Sequence, residues 1–378
     1  MNQKPKRIAK RVFSILCLLV LSPFLYKGAI NSLPYLNAAA GQLAVWSAGI
    51  TMPEGGKELL QQEITGDESS RAEEEEPSGE VSLPASESPA VTAGTASEEE
   101  QSTSSEQTPV RPDDAGDIVR RQYTGSASST QFQIDNNAWI KNLTTHTEAE
   151  IREQIAQGPA FQIEDTSEPQ VLIMHTHTTE GYEAQSLDWY DKNYNSRTTD
   201  NAYNVCRVGD EIEKQLKEAG IGVIHDCTLH DYPTFPGCYD RSAVTVQNYL
   251  DQYPSIKIVL DIHRDAIEQQ DGTRIAPVAN INGKNAAQVM IISGCDDGTM
   301  GYPNYFQNLK FAAALQSQME ADYPGLARPL LFDYRKYNQH LTTGAILLEM
   351  GGHANSLEEA VYAGELVGKS LANLLKKL

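Results

Sequence analysis

The chain has 378 residues, of which 40% are hydrophobic, so it is long enough for one large domain or two ordinary ones. Its formal net charge is −21, and most of this charge is local, because Glu54–Asp117 contains 18 acidic and three basic residues. The rest of the chain is nearly balanced. We expect no nucleic-acid partner, since neutralising phosphates requires a basic face and the sequence has none.

The cysteines are scattered along the chain and form no Cys-x-x-Cys pair. This spacing argues against zinc fingers and against clustered metal–thiolate sites. We expect the four cysteines that follow Cys17 to be free thiols, with a disulfide between Cys227 and Cys238 as the alternative.

The N-terminus has the charge pattern of an exported protein. Residues 1–11 carry five basic side chains and no acidic one, and an apolar run follows. This order keeps the N-terminus in the cytoplasm and exports the rest of the chain. The run is short for a span of about 20 residues, but Lys27 can snorkel and the stretch up to Leu36 is mildly apolar. We predict a cytoplasmic tail over residues 1–11 and a single-pass membrane anchor over residues 12–36, with a cleaved signal peptide as the alternative.

Residues 52–121 have the composition of a disordered linker. They contain glutamate runs at Glu73–Glu76 and Glu98–Glu100 and many Ser, Thr and Pro residues. Such a segment has too little apolar surface to offset the entropy of ordering, and its charges keep it extended. We predict a spacer that holds the following domain away from the outer face of the cell membrane, with no binding role of its own.

From residue 122 onwards, apolar runs of strand length alternate with amphipathic helical segments. Strands with little polar alternation, separated by helices, are typical of a sheet covered on both faces. We predict one α/β domain over residues 122–378, with a mostly parallel sheet flanked by helices. The predicted strands are Val171–Met174, Ile221–Ile224, Ile256–Asp261, Gln288–Ile292, Leu330–Phe332 and Ala345–Leu348. The predicted helices are Thr199–Ala219, Arg241–Tyr253, Tyr305–Tyr323 and Leu357–Leu375.

Three polar clusters follow predicted strands directly. They are His175–Glu180, His263–Asp265 and Glu349. Functional groups of α/β sheets collect beyond the carboxyl ends of the strands. A single histidine or glutamate at such a place is usually a hydrogen-bonded structural residue, but three such clusters in one domain favour a shared site.

These residue types fit zinc-dependent hydrolysis. A catalytic zinc needs two or three imidazole or carboxylate ligands, an open position for water and a nearby base that is not a ligand. His177 and Glu180 can reach one ion from a single turn, and His263 is the best candidate to complete the set. Glu349, which enters from another strand, is the candidate that takes a proton from the water and passes it to a leaving amine.

The same stretches resemble a known family. Val171–Tyr182, Asp261–Asp265 and Leu348–Gly352 are similar to stage II sporulation protein P, the membrane-anchored cell-wall hydrolase of endospore-forming bacteria. The resemblance extends over roughly residues 125–378, and the string His-Thr-His-Thr-Thr-Glu is its most specific part.

The resemblance implies a zinc-dependent N-acetylmuramoyl-L-alanine amidase with one zinc ion per domain and a mixed, mostly parallel sheet. It also implies an endopeptidase activity on the stem-peptide cross-links of peptidoglycan. The implied role is the thinning of septal peptidoglycan during forespore engulfment. The implied partners are the stage II sporulation proteins D and M.

The resemblance also assigns roles to individual residues. His177 matches the strand-end zinc histidine of such amidases, His263 matches the second histidine, and Glu349 matches the glutamate of their final Glu-x-Gly motif. Their usual Gly-His-Gly-Gly loop is replaced here by Thr-His-Thr-Thr, and the glutamate ligand on their following helix has no counterpart in Thr199–Ala202. Glu180 is the predicted third ligand, with His175 as the alternative.

Two further residues are candidates for binding substrate. Arg264 could bind a muramyl or peptide carboxylate through two parallel hydrogen bonds, or form an internal ion pair with Asp265. Asn355 could hydrogen-bond the substrate, or cap the helix that begins near Ser356.

Two other functions share the predicted site. A zinc carboxypeptidase uses the same ligand and base types, but it needs an arginine for the terminal carboxylate, and Arg264 is the single candidate. A non-catalytic exported scaffold would have lost its metal, which the presence of His177, His263 and Glu349 argues against. Metal content distinguishes the scaffold from both enzymes, and the reaction products distinguish the two enzymes.

Overall fold

The computed structural model describes residues 109–164 and 167–378. The predicted basic tail, the predicted anchor and the predicted linker up to residue 108 lie outside the described residues. Within the described part of the chain, no helix is long and apolar enough to cross a membrane. From Pro112 to Leu378 the described residues belong to one unit.

The described residues form twelve strands and five α-helices. In chain order the strands are β1 (Gly116–Arg121), β2 (Gln131–Asp135), β3 (Ala138–Asn142), β4 (Val171–Met174), β5 (Trp189–Tyr190), β6 (Val223–His225), β7 (Ile258–Asp265), β8 (Arg274–Ile281), β9 (Lys284–Ala287), β10 (Val289–Cys295), β11 (Leu330–Tyr334) and β12 (Gly344–Gly352). The helices are α1 (Glu148–Ile155), α2 (Val205–Glu218), α3 (Cys238–Gln252), α4 (Tyr305–Asp322) and α5 (Leu357–Leu375), and Gln339–Leu341 is a short 3₁₀ turn.

The larger sheet has eight strands in the order β2-β3-β11-β10-β12-β7-β4-β6. The pairs β2–β3 and β10–β12 are antiparallel and the other pairs in this sheet are parallel. This arrangement confirms the predicted mixed α/β fold. The parallel run of β12, β7, β4 and β6 directs the carboxyl ends of four neighbouring strands to one edge.

Helices cover both faces of this sheet. Alternate residues of a strand point to opposite faces, and the central strands are buried on both. Ile173 and Leu260 pack with the apolar sides of α2, α4 and α5 in the main core. Leu172 and Val259 face the other way and pack against Val246 of α3.

Helix α2 begins later than its apolar pattern predicts. The predicted helix starts at Thr199, whereas α2 starts at Val205 because Asn204 is its N-cap and accepts the N–H of Cys206 at 2.9 Å. The residues from Thr199 to Asn204 form turns instead. The predicted start was wrong because the Asn204 side chain accepts a backbone N–H of the first turn, which lets the helix begin after it.

A second, four-stranded sheet in the order β5-β1-β8-β9 was not predicted. Strand β1 takes up the last six residues of the segment predicted to be linker. Strands β8 and β9 form a hairpin whose turn, Asn282-Gly283, has positive φ angles of 53° and 83°. Asn-Gly between two strand-like runs is a strong hairpin signal, so the sequence does carry evidence for this hairpin.

Candidate metal centre

The candidate site lies where β4, β7 and β12 end side by side. In the register of β7 and β12, His263 stands opposite Glu349. Met174, the last residue of β4, stands opposite Asp261. Because side chains alternate along a strand, Asp261 and His263 share one face of β7. The turn that follows β4 then brings His177 to the same edge of the sheet.

Three of the predicted ligands meet at this edge. One ligand atom from each of His177, Glu180 and His263 lies within 4.8 Å of the other two. His177 Nδ1 is 3.2 Å from Glu180 Oε1, and His263 Nδ1 is 3.4 Å from Glu180 Oε2. All three side chains are buried. The predicted spacing of His177 and Glu180 therefore does place both side chains at one point.

Backbone hydrogen bonds fix the Glu180 carboxylate. The N–H of Glu180 donates to His177 O at 3.1 Å, which closes the turn between the two residues. Its carboxylate accepts the backbone N–H of Arg264 at 3.0 Å, and its carbonyl accepts the N–H of Val205 at 2.8 Å. The loop after β4 is thus attached both to β7 and to the start of α2.

Asp261 orients His263. Its Oδ1 lies 2.9 Å from His263 Nε2, and Glu180 Oε2 lies 3.4 Å from His263 Nδ1, so the imidazole stands between two carboxylates. The Asp261 carboxylate also accepts the backbone N–H and the hydroxyl of Thr176, both at 2.8 Å. A carboxylate behind a histidine is the usual support of a metal-ligating imidazole.

The charges at this edge fit a cation. Burial raises the pKa of Glu180, but the His177 and His263 imidazoles outweigh it and hold that pKa well below its usual range. Burial lowers the pKa of His263, but Asp261 and Glu180 outweigh it and keep that pKa well above its usual range. The buried carboxylates of Glu180 and Asp261 are thus stabilised by positive charge beside them. His177 Nε2 is buried and has no hydrogen-bond partner among the described residues. Two imidazoles and a carboxylate are a donor set that zinc accepts.

Glu349 stands apart from the ligand group as a carboxyl without a partner. It is buried, and neither of its oxygens has a hydrogen-bond partner within the described residues. Burial, together with the charge of Asp265, raises its pKa well above the usual range. A carboxyl group with a raised pKa beside a metal-type site has the properties of a general acid or base.

The structure gives Arg264 contacts that neither expectation anticipates. Its guanidinium is buried and donates to Gly181 O at 2.8 Å and to Ser196 Oγ at 2.9 Å. The Asp265 carboxylate pairs with Arg328 at 2.8 Å. Arg264 therefore braces the loop that follows Glu180, and its binding of a substrate carboxylate stays a prediction.

Asn355 is also a bracing residue. It is buried, accepts the N–H of Gly352 at 2.8 Å and donates to Pro277 O at 3.2 Å. The N-cap of α5 is Ser356, whose side chain forms a capping box with Glu359. The expectation that Asn355 caps this helix is therefore wrong, since its side chain holds the end of β12, and a contact with substrate stays a prediction.

His175 does not join His177, Glu180 and His263. Its side chain belongs to a different group with Cys206, His225 and Cys227. The expectation that clustered metal–thiolate sites are absent rests on the lack of a Cys-x-x-Cys pair, and it does not cover cysteines that folding brings together from distant segments. Cys206, Cys227, Cys238 and Cys295 are free thiols, as predicted.

Sequence reasoning missed three residues beside His177. Arg197 lies 3.5 Å from Glu180 Oε1 and 2.9 Å from Asp231, and it stacks over Phe235. The rings of Phe235 and Tyr239 pack on the His177 ring at centroid distances of 4.9 and 5.5 Å. Arg197 and Phe235 lie in loops and Tyr239 lies at the start of a helix. None of them belongs to a sequence motif, so their spacing does not predict that they meet at His177.

The comparisons with known proteins agree on one family. The sequence profile described as "Stage II sporulation protein P" matches residues 55–372. Stage II sporulation protein P of Bacillus subtilis (strain 168) is 32% identical over 200 residues, which is 50% of this chain and 47% of that protein. The chain thus matches about half the length of this curated relative.

Solved structures give weaker likenesses. The N-acetylmuramyl-L-alanine amidase Ami1 from Mycobacterium smegmatis is 13% identical, with a TM-score of 0.33 over 58% of this chain and 100% of that one. The CwlD amidase from Clostridioides difficile, solved in complex with the GerS lipoprotein, is 11% identical, with a TM-score of 0.35 over 55% and 97%. Both TM-scores are low, and family membership rests on the sequence match. Because the profile covers most of the chain, the chain belongs to the stage II sporulation protein P family.

Proposed function

We propose that this protein is a cell-wall hydrolase of sporulation, a zinc-dependent N-acetylmuramoyl-L-alanine amidase that also cleaves stem-peptide cross-links. Family membership supports the sporulation role. The observation that carries the enzymatic proposal is the meeting of His177, Glu180 and His263 beside the partnerless carboxyl of Glu349. A scaffold would have no use for such an arrangement, because buried polar atoms without partners destabilise the fold.

His177, Glu180 and His263 would hold the zinc ion. When bound, zinc supplies a Lewis acid that polarises the lactyl amide carbonyl and activates water. Glu349 takes the proton of the attacking water and delivers it to the amine that leaves with L-alanine. Its raised pKa suits both steps, since the group must accept the proton first and donate it afterwards.

The surrounding side chains position these groups. Asp261 lies 2.9 Å from His263 Nε2 and would orient the imidazole so that its Nδ1 faces the zinc. Among the described contacts, Arg197 is the cation nearest to Glu180 that solvent reaches, since its side chain is 21% exposed. It is our candidate for binding a substrate carboxylate in place of Arg264. The carboxypeptidase alternative needs an arginine for the terminal carboxylate and would use the same side chain, so the reaction products decide between the two enzymes.

The cellular setting is also part of the proposal. The basic tail, anchor and acidic linker predicted from the sequence would place the domain outside the cytoplasm at the cell membrane. The substrate would be septal peptidoglycan, and the partners would be the stage II sporulation proteins D and M.

Analysis of reaction products tests the proposed activity. The full-length chain is incubated with purified peptidoglycan, with zinc or with chelator, and the released fragments are identified by mass spectrometry. We expect free stem peptides that begin with L-alanine, and we expect chelation or Glu349→Gln to abolish them.

Other products would change the conclusion. Release of C-terminal amino acids alone would identify a carboxypeptidase. If zinc-loaded protein releases nothing from peptidoglycan, the non-catalytic scaffold is the remaining explanation. The exposed-site variant Glu358→Gln, whose side chain is 78% accessible, serves as the control and should release stem peptides at the wild-type rate.

A further inference from the structure

A second group of metal-ligating side chains lies between the end of β4, the first turn of α2 and the end of β6. It consists of His175, Cys206, His225 and Cys227, and one ligand atom from each lies within 4.8 Å of the other three. His175 Nε2 is 2.8 Å from His225 Nε2, and Cys227 Sγ is 3.3 Å from that same nitrogen. Four ligands around a tetrahedral zinc ion, at about 2.0–2.3 Å from the metal, stand roughly 3.3–3.8 Å apart. The distance between Cys227 Sγ and His225 Nε2 matches this spacing, and the two imidazole nitrogens would move apart by about 0.5 Å to receive the ion.

Contacts on the far side of both imidazoles direct the Nε2 atoms inwards. His175 Nδ1 lies 3.0 Å from the carbonyl oxygen of Ile262, which can only accept a hydrogen bond, so the proton belongs on Nδ1. His225 Nδ1 lies 3.2 Å from Asp210 Oδ1, which favours the same tautomer. The two Nε2 atoms then face each other at 2.8 Å, a hydrogen-bond distance that requires one shared proton, and a bound cation would take the place of that proton. A carbonyl or carboxylate behind each histidine is the support that metal-ligating imidazoles usually have.

Helix α2 is shaped to make room for the imidazoles. Cys206, Gly209 and Asp210 lie on one side of the helix because residues three and four apart are neighbours. A Cβ atom at Gly209 would lie 2.4 Å from His225 Nε2 and 3.1 Å from His175 Cε1. Glycine inside a helix destabilises it relative to alanine. The space it leaves at this position is filled by the two imidazoles.

We propose that His175, Cys206, His225 and Cys227 bind a structural zinc ion in a Cys₂His₂ site separate from the candidate catalytic centre. Four protein ligands leave no open position, which distinguishes a structural from a catalytic zinc. Two thiolates neutralise the charge of the ion, as suits a site where His175 and Cys206 are fully buried. Cys227 is half-buried and gives the metal a way in.

This site would hold in place the segments that carry the catalytic ligands. His175 is two residues from His177, and its contact with the Ile262 carbonyl lies next to His263. Cys206 follows Val205, whose N–H donates to the Glu180 carbonyl at 2.8 Å. The structural zinc would thus link the loop after β4, the end of β7 and the start of α2.

Cobalt substitution and zinc counting test this proposal with the full-length chain. A cobalt–thiolate bond absorbs in the near ultraviolet, and His177, Glu180 and His263 contain no sulfur. We expect the band in wild-type protein and in His177→Gln, and we expect Cys206→Ser and Cys227→Ser to lose it. We expect two zinc ions per chain in wild type and in the control Cys295→Ser, and one in Cys227→Ser.

The band separates this proposal from the proposed amidase. Failure of the candidate catalytic centre to bind metal would leave the cobalt–thiolate band in place, and loss of amidase activity has no bearing on it. Wild-type protein that takes up cobalt without the band would overturn the structural site. So would a peptide map of active protein in which Cys206 and Cys227 are joined in a disulfide. Because these two outcomes are read on wild-type protein, they do not depend on whether a variant folds.

Discussion

Two buried glutamates of this protein have opposite surroundings. Glu180 lies 3.2 and 3.4 Å from imidazole nitrogens and accepts the N–H of Arg264, and its pKa is held well below the usual range. Glu349 has no hydrogen-bond partner among the described residues, and its pKa is raised by burial. Carboxyl groups with pKa values pushed apart have different roles in a hydrolytic site. Glu180 is suited to binding a metal, and Glu349 is suited to moving a proton.

Replacing Glu349 by Gln tests this division. We expect the rate of stem-peptide release to fall by about 10²–10⁴-fold, the usual contribution of general acid–base catalysis. Zinc content should stay at the wild-type value, because Glu349 is not among the grouped ligands. Loss of zinc together with activity would make Glu349 a ligand and contradict the assignment.

Replacing Asp261 by Asn tests the support of His263. We expect the zinc affinity of the candidate catalytic centre to fall by about 10–100-fold, as is typical when a carboxylate behind a metal-ligating histidine is removed. Competition with a chromophoric chelator measures the change. Asp251→Asn, on the exposed side of α3, is the control and should bind zinc like the wild type. Equal affinities for both variants would show that Asp261 does not orient His263.

At the residue scale, the sequence predicts those site residues whose place is set by a strand. His177 was predicted from the end of the apolar run of β4, whereas His263 and Glu349 lie inside β7 and β12, which continue past their predicted ends. The contacts of Arg264 with Ser196 and of Asn355 with Pro277 were not predicted, because these partners are far away in sequence and carry no motif. The group around His175 was missed for the same reason, since its ligands come from three separate segments.

At the element scale, the end of β12 depends on a backbone irregularity. The register between β12 and β7 shifts between Glu349 and Gly352. Gly351, inside this shift, has a φ of +76°, and a Cβ atom there would lie 2.6 Å from Ala287 Cβ and 2.8 Å from Asn355 Oδ1. Glycine is the residue that takes up this conformation without strain. The shift follows Glu349 directly, and pairing with β7 resumes at Gly352, opposite Asp265.

Replacing Gly351 by Ala tests the importance of this irregularity. We expect the free energy of unfolding to fall by about 1–3 kcal/mol from strain, with a further loss from the crowding by Ala287 and Asn355. Gly220→Ala is the matched control, since Gly220 has a φ of +82° but no atom within 4 Å of its Cβ position. Denaturant unfolding of both variants gives the comparison. Equal losses would show that crowding at the end of β12 is unimportant.

Elements were predicted best where burial is uniform. The buried strand β4 has the predicted bounds. Strands β7 and β12 were found, but each continues four residues past its predicted end, to Asp265 and Gly352, because pairing in the sheet extends beyond the apolar run. Strands β1, β8 and β9 were missed because their burial alternates or is partial, and β1 continues directly from an acidic segment. Periodicity alone does not show that such strands form a second sheet.

At the scale of the whole molecule, both proposed zinc ions would bind only the folded chain. Their ligands come from the loop after β4, from α2, from the end of β6 and the segment after it, and from β7, which are separate in sequence. A ligand that binds the native state alone stabilises it by mass action. The metal would therefore add to the stability of the edge where the parallel strands end.

Removing the metal should lower the melting temperature. One zinc ion at about 100 times its dissociation constant adds about 2.7 kcal/mol. For a domain of this size we expect chelation to lower Tm by about 5–10 °C per site. Differential scanning calorimetry with chelator measures the shift, and chelator saturated with zinc beforehand is the control. An unchanged Tm would mean that the fold binds no zinc at these positions.

Anomalous X-ray diffraction at the zinc edge, on crystals of the zinc-loaded full-length chain, tests the central claim most directly. We predict a peak bonded to a ring nitrogen of His177, to a ring nitrogen of His263 and to the Glu180 carboxylate, at about 2.0–2.2 Å from each, with Glu349 beside it and unbound. Zinc-loaded crystals without a peak at these three side chains would contradict the claim.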